Sequence, residues 1–494
     1  MPSTTTLRAL RGAVLAVAGL VWITACEQSP IQPAAQRGAM LSAAAAGNLL
    51  PVPDPSGTIA TYSTNGSLDL GSPFFQSLGT NGRSCATCHV IGNGMGLSAA
   101  TAQAVFAANG EHDPLFAAVD GANCPTAAPG SGAEAHSLLI NNGLIRVSLG
   151  LPHPAEFTLS VVQDPYQCAF TMGAEGDTSA SVYRRPLPST NLRFLSAVMF
   201  DGRETVAPLN NSATFAANLR TDLSHQAMDA TLGHAQAAVA PTGAQVAGIV
   251  DFEMSLYSAQ RSDDAAGLLN AEGAEGGPQN IAGTEYFPGV NDPLGGNPTG
   301  AAFNPASFVI FQRWLTLTNH GKETPARQSV ARGEAIFDSH PLQITNVRGL
   351  NDALGQPVIA GFCTTCHDTP NIGNHSLPVP LDIGTSHAPQ YEQDPQIAAA
   401  LAQLSVPDLP VYQVTCGGTS SFTSDPGKAL LTGKCSDVGR IKGPVLRGLA
   451  ARAPYFHNGA AANLNQVVAF YNQRFQMGLG QQQQQDLVAF LKSL

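Results

Sequence analysis

Nine cysteines in 494 residues are too few for a fold stapled together by disulfides, and a hydrophobic content of 44% excludes a disordered chain. No apolar run, Ala13 to Ile23 included, is long enough to remain as a membrane span, which excludes a protein with several membrane-spanning helices. Basic residues are also scarce: 24 Lys and Arg stand against 35 Asp and Glu, a net charge of −11. A surface with that balance repels nucleic acid and anionic lipid, so neither is an expected partner. Methionine nearly disappears from the last third, where Met477 is the single one after residue 327. The length suffices for two or three domains with cores of their own.

One apolar run sits at the start. Arg8 and Arg11 precede Ala13 to Ile23, and Ile23-Thr24-Ala25-Cys26 follows. Residues 1–25 read as a signal peptide, too short and too sharply bounded by small residues to remain as a membrane span. The four-residue end resembles the lipobox of bacterial lipoproteins, in which the cysteine becomes the lipidated first residue. That resemblance implies a periplasmic protein held to the outer membrane by a lipid on Cys26, with no other membrane contact. Plain cleavage to a soluble periplasmic protein is the alternative. Residues 26–65, rich in Ala, Pro, Gln, Ser and Gly, read as a flexible tether. Oxidising compartments pair ordinary thiols, and the shortest loops are closed by Cys124 with Cys168 and Cys416 with Cys435.

The body of the chain shows one arrangement twice. "SCATCHV" places Cys85, Cys88 and His89 within five positions, and "FCTTCHD" does the same with Cys363, Cys366 and His367. The duplication predicts two similar domains, 66–326 with a helical and Gly/Pro-rich insertion, and 327–494. Apolar spacings of three and four predict helices over 211–240, 245–260 and 481–494, and residues 262–305 read as a long excursion or lid. The fold class expected is mainly α, two cytochrome c-like domains in tandem with long loops.

A C-x-x-C-H stretch holds a haem because each thiol adds across a vinyl group and the adjacent imidazole reaches the iron from the same side. Four thiolates from Cys85, Cys88, Cys363 and Cys366 could instead hold zinc, but zinc does not explain a histidine after both pairs. A redox dithiol predicts a βαβ setting around a single motif, which is absent. The reading is therefore two covalent haems c, with His89 and His367 as proximal ligands. For the far side of the second haem the candidates are Tyr471, Met477, His375, His387 and His457. For the first they are Met95, His112 and His136.

Together with "VMFDGRE" (198–204) and "KGPVLRGLAARAPYFHNGAAANLNQVVAFYNQRF" (442–475), the two motifs make the sequence resemble the bacterial diheme cytochrome c peroxidase superfamily. This superfamily includes the diheme enzyme that matures tryptophan tryptophylquinone. The resemblance implies hydrogen peroxide reduced at the first haem, with electrons entering at the second from a small cytochrome c or cupredoxin, and often a calcium ion between the domains. It places Tyr471 where peroxidases carry a methionine ligand and the quinone-maturing enzyme a tyrosine, with Met477 as competitor. Phe200 stands where the family has an inter-haem tryptophan. Gln226 fits the family's peroxide-site glutamine, whereas the acid expected ten positions later is Gln236, leaving His234 or the helix-borne Glu253 to move protons. A core arginine is expected beside Glu253, and His457 is expected to shape the second pocket.

Overall fold

The computed structural model describes residues 47–172 and 177–494. The expected signal peptide, Cys26 and the expected tether up to residue 46 lie outside the described residues. From Leu49 the stretch expected to be tether is ordered sheet. Leu49–Asp54 (β1) and Gly57–Ser63 (β2) pair antiparallel around a turn in which the Asp54 carboxylate accepts the Ser56 N–H at 2.7 Å. Alternate residues Leu50, Val52 and Ile59 turn inward and pack on Phe74, Met95 and Ile249. β2 also pairs with Leu256–Asp263 (β7), which continues to Gly267–Leu268 (β8).

The mainly α expectation is wrong: helix makes up 32% and strand 17%, spread over several sheets. Ile145–Gly150 (β3), Thr178–Arg184 (β6) and Phe170–Met172 (β5) form one sheet in the order β3-β6-β5. Phe157–Gln163 (β4) pairs with Val411–Cys416 (β11), which pairs with Thr419–Thr423 (β12). Leu342–Thr345 (β9) and Val358–Gly361 (β10) make a two-stranded ribbon. Strand preference depends on cross-strand partners, and β4 finds its partner some 250 residues away, beyond the reach of periodicity.

Among the helices used below, α1 is the single turn Cys85–Cys88 and α2 is Ala99–Asn109. α3 (Phe215–Gly233) buries Leu219, Leu223 and Ala227 as their spacing predicts. α4 (Gly243–Met254) opens with a capping box, in which Thr242 and Gln245 satisfy each other's backbone N–H groups. The sequence extends this helix to Gln260. It stops at Met254 because Ser255 Oγ donates to the Phe252 carbonyl, and the next residues join β2 as β7. α5 (Thr324–Ser339), α6 (Leu464–Arg474) and α7 (Gln481–Lys492) surround the largest apolar cluster, which contains Phe337, Phe490, Leu487 and Leu491. α5 and α7 touch backbone to backbone at Gly333, where a Cβ would lie 2.0 Å from the Asp486 carbonyl oxygen.

The excursion is a buttress, not a lid. Asn291, 9% exposed, donates from one amide to the Asn304 carbonyl, the Ser307 hydroxyl and the Asp368 carbonyl, pinning the excursion to the residue after His367. Glu334 of α5 accepts the Ile310 and Phe311 N–H groups beside it.

Cys416 and Cys435 form the expected disulfide. The expected Cys124–Cys168 bridge is not formed; both are free thiols, and Cys168 faces the Asn123 carbonyl at 3.5 Å. The Cys416–Cys435 crosslink spans 19 residues around β12. Cys435→Ser is expected to lower the unfolding free energy by about 3 kcal/mol, read from chemical denaturation.

Candidate functional site: two adjoining cavities, each fronted by a C-x-x-C-H turn

The two motifs fold alike because the same local bonds form in each. In the first, the Ser84 N–H donates to Thr87 Oγ1 at 3.0 Å and the His89 N–H to the Cys85 carbonyl at 3.0 Å. In the second, the Phe362 N–H donates to Thr365 Oγ1 at 3.0 Å and the His367 N–H to the Cys363 carbonyl at 3.1 Å. Each histidine then donates from Nδ1 to the carbonyl six residues on, His89 to Met95 at 3.1 Å and His367 to Gly373 at 2.6 Å. Both acceptors lie at positive φ, 59° and 74°, which turns their carbonyls back toward the rings. A ring that donates from Nδ1 keeps its lone pair on Nε2. Burial holds both imidazoles well below their ordinary range, at about 4, so they are neutral.

Each turn faces a cavity, of about 170 Å³ for the first and about 230 Å³ for the second. Two thiols outside any disulfide and one neutral imidazole with its lone pair on Nε2, all at the wall of a largely apolar cavity, are the donor set a c-type haem takes, and the residues fit that group.

The first cavity collects the three residues expected to act in catalysis. Gln226 of α3, His234 at the end of α3 and Glu253 of α4 all line it. His234 Nδ1 is hydrogen-bonded to the Asp120 carboxylate, and that carboxylate is paired with Arg83. Arg83 is fixed in turn by the Pro114 and Leu115 carbonyls at 2.6 and 2.7 Å. Although burial opposes it, the bonds from His234 and Arg83 hold Asp120 below the usual carboxylate range, so it stays an anion at 4% exposure.

Glu253 differs from expectation, because among the described residues no arginine accompanies it. It is 4% exposed, leans on Ser189, leaves Oε2 without a partner, and is pushed by burial up to about 7. Gln236 lies outside the cavity, because α3 ends at Gly233 and Gln236 turns at φ 54° to accept from Asn81. Neither Met95, His112 nor His136 lines the cavity; Met95 is core, and His136 is tied to the Gly121 carbonyl at 2.8 Å.

The second cavity is lined by Tyr471, Met477, His375 and His457. Tyr471 sits near both Cys363 and Cys366 on α6, and burial pushes its hydroxyl far above its ordinary range. His387 is spent elsewhere, between Asp382 at 3.0 Å and Glu392. His375 is committed through Nδ1 to Asp368 at 2.5 Å. His457 is buried and neutral, with its ring 6.1 Å from that of Phe200.

Sequence reading missed Arg83 and Asp120. Arg83 stands two residues before Cys85, a signal that position could have given; Asp120 has none, since contact alone joins it to His234, 114 residues away. Met199, which also lines the first cavity, was missed as well. Two other clusters, Glu204/His225/Asp229 and buried Asp292/Asp368/His375, combine carboxylates with a histidine. Neither has the all-oxygen donor set usual for calcium.

No protein-family model matches the chain. It is 31% identical over 204 residues to cytochrome-c peroxidase IdrP1 of Denitromonas iodatirespirans, covering 38% of this chain and 45% of that protein. It is 33% identical over 140 residues to cytochrome-c peroxidase IdrP2 of Pseudomonas sp. (strain SCT), covering 27% and 35%. The chain thus spans less than half the length of these curated relatives. A solved structure of a MauG-like protein associated with microbial copper homeostasis aligns over 86% of this chain and 88% of its own, at 14% identity and a TM-score of 0.33.

Proposed function

This chain belongs to the superfamily of bacterial diheme cytochrome c peroxidases, and we propose that it is a periplasmic, lipid-anchored enzyme that reduces hydrogen peroxide to water at the first cavity. Its electrons come from a small cytochrome c or cupredoxin through the second cavity. Cys85, Cys88 and His89 hold one haem c, and Cys363, Cys366 and His367 the other; bound haem iron supplies the redox chemistry of O–O cleavage.

The observation that carries this reading is the line Arg83–Asp120–His234 ending at the first cavity beside Gln226. Gln226 offers an amide to orient peroxide. With Nδ1 committed to Asp120, His234 exchanges a proton at Nε2, and the buried anion stabilises the imidazolium that results. Glu253, near neutrality at about 7, is a second proton donor facing the same space. Calcium is assigned no ligands.

One observation favours a second reading, oxidation of an organic or protein substrate. Tyr471 faces the second cavity, and a hard anionic donor there favours ferric iron over ferrous.

The test is the ferric absorption spectrum followed by peroxide. A high-spin fraction reacting within seconds is expected, and His234→Gln is expected to slow that reaction at least about 100-fold. Two low-spin haems inert to peroxide would leave only an electron carrier.

A further inference from the structure

Six residues face both cavities at once: Arg185, Pro186, Leu187, Pro188, Phe200 and Lys442. Two of them are cations, 8% and 6% exposed, and their bonding differs. Arg185 is occupied. Its guanidinium donates to the carbonyls of Leu97, Arg452 and Asn142, and its N–H to the His457 carbonyl at 2.7 Å. Lys442 is held in the wall by its backbone N–H on the Phe200 carbonyl at 2.8 Å, but its ammonium is nearly free. Among the described residues its single polar contact is the carbonyl of the next residue, Gly443, at 3.5 Å.

The same stretch places a cation every five residues, Lys442, Arg447 and Arg452. Arg447 lines the first cavity and not the second, and Arg452 the second and not the first. Both are buried, and each leaves one guanidinium nitrogen without a partner, Nη1 in Arg447 and Nε in Arg452. Among the described residues no carboxylate bonds to any of the three. Burial alone pushes Lys442 down to about 8, with no neighbouring acid to offset it.

An unpaired ammonium out of water is costly, so the charge demands an anion, and both cavities open beside it. A haem fixed by thioethers at its vinyl edge still carries two propionate carboxylates.

We propose that Lys442 is a counter-ion shared by the propionates of both haems, with Arg447 serving the first haem alone and Arg452 the second alone. The inference rests on the two-haem reading given above. A cation beside a haem opposes the extra positive charge of ferric iron, so one shared ammonium sets both potentials together.

Spectroelectrochemical titration of the whole holoprotein tests this. In Lys442→Met the reduced-to-oxidised ratio of each haem at fixed potential is expected to fall about tenfold, which is about 59 mV for a one-electron couple. Lys442→Arg is expected to keep both wild-type values. Arg447→Gln and Arg452→Gln are each expected to move one haem only. If either haem is unmoved in Lys442→Met, the shared role is overturned. If the Met variant loses haem, Lys442→Gln is measured instead. Loss of both haems from both neutral variants, with both kept in Lys442→Arg, supports the proposal, and loss of one haem overturns it. A wild-type shift of similar size on replacing chloride with a bulky sulfonate would assign the ammonium to a solvent anion and overturn it. Haem content measured first on the wild-type chain separates the two readings, because anything other than two haems defeats the diheme reading before Lys442 is considered.

Discussion

Cys363→Ser combined with Cys366→Ser is expected to leave a protein that keeps half of its pigment after denaturation in acid-acetone. The covalent bond depends on the two sulfurs alone, and the first motif lies in a separate cavity with its own thiols. Stability should suffer as well. The second cavity is walled by Phe337, Leu449, Leu464, Leu487 and Leu491, all members of the largest apolar cluster. At about 24 cal/mol per Å³, leaving 230 Å³ unfilled costs about 5.5 kcal/mol, a large fraction of the stability of an ordinary domain. The matching change at Cys85 and Cys88 opens 170 Å³, costing about 4 kcal/mol, and removes the haem beside His234. Pigment retained after extraction, and chemical denaturation of each double variant, check both parts. Undiminished covalent pigment in either variant would show that its motif does not carry a haem.

Tyr471→Phe is expected to produce the second large change, in the spectrum and potential of the second haem alone. Burial, with the Cys366 and Cys363 thiols nearby, makes the free phenol very hard to ionise, so only a bound metal ion could draw a phenolate from it. Loss of that anionic oxygen removes the preference for ferric iron. The reduced-to-oxidised ratio of the second haem at fixed potential should rise at least about tenfold, about 59 mV. Met477→Leu should leave it unchanged, since Met477 belongs to the apolar cluster around α5 and α7 and its replacement conserves volume. The reverse outcome, Met477→Leu moving the potential and Tyr471→Phe not, would transfer the ligand role to Met477.

Both experiments act on residues visible in the sequence. Cysteine and histidine within five positions form one turn whose bonds are all local, so spacing alone was enough to place Cys85, Cys88, His89, Cys363, Cys366 and His367 side by side. The stripe of α3 was readable for the same reason, and with it the placing of Gln226 and His234 toward one space. Glu253 was found on its helix face but given the wrong company, because sequence expected an arginine where the fold supplies Ser189 and an empty oxygen. The β-sheets were missed outright: Tyr62 meets Tyr257, and Val161 meets Tyr412, across separations that no window spans.

By itself, then, the sequence determined where two thiols and a histidine stand together in each motif, because a one-turn hydrogen-bond pattern is encoded within a few neighbouring residues. Only the tertiary structure decided what surrounds those motifs: Asp120 between Arg83 and His234, the shared wall of Pro186, Phe200 and Lys442, and a chain of mixed class. Charge pairing, burial and strand pairing are properties of contacts between distant segments, and they come into being only when folding has removed the water between them.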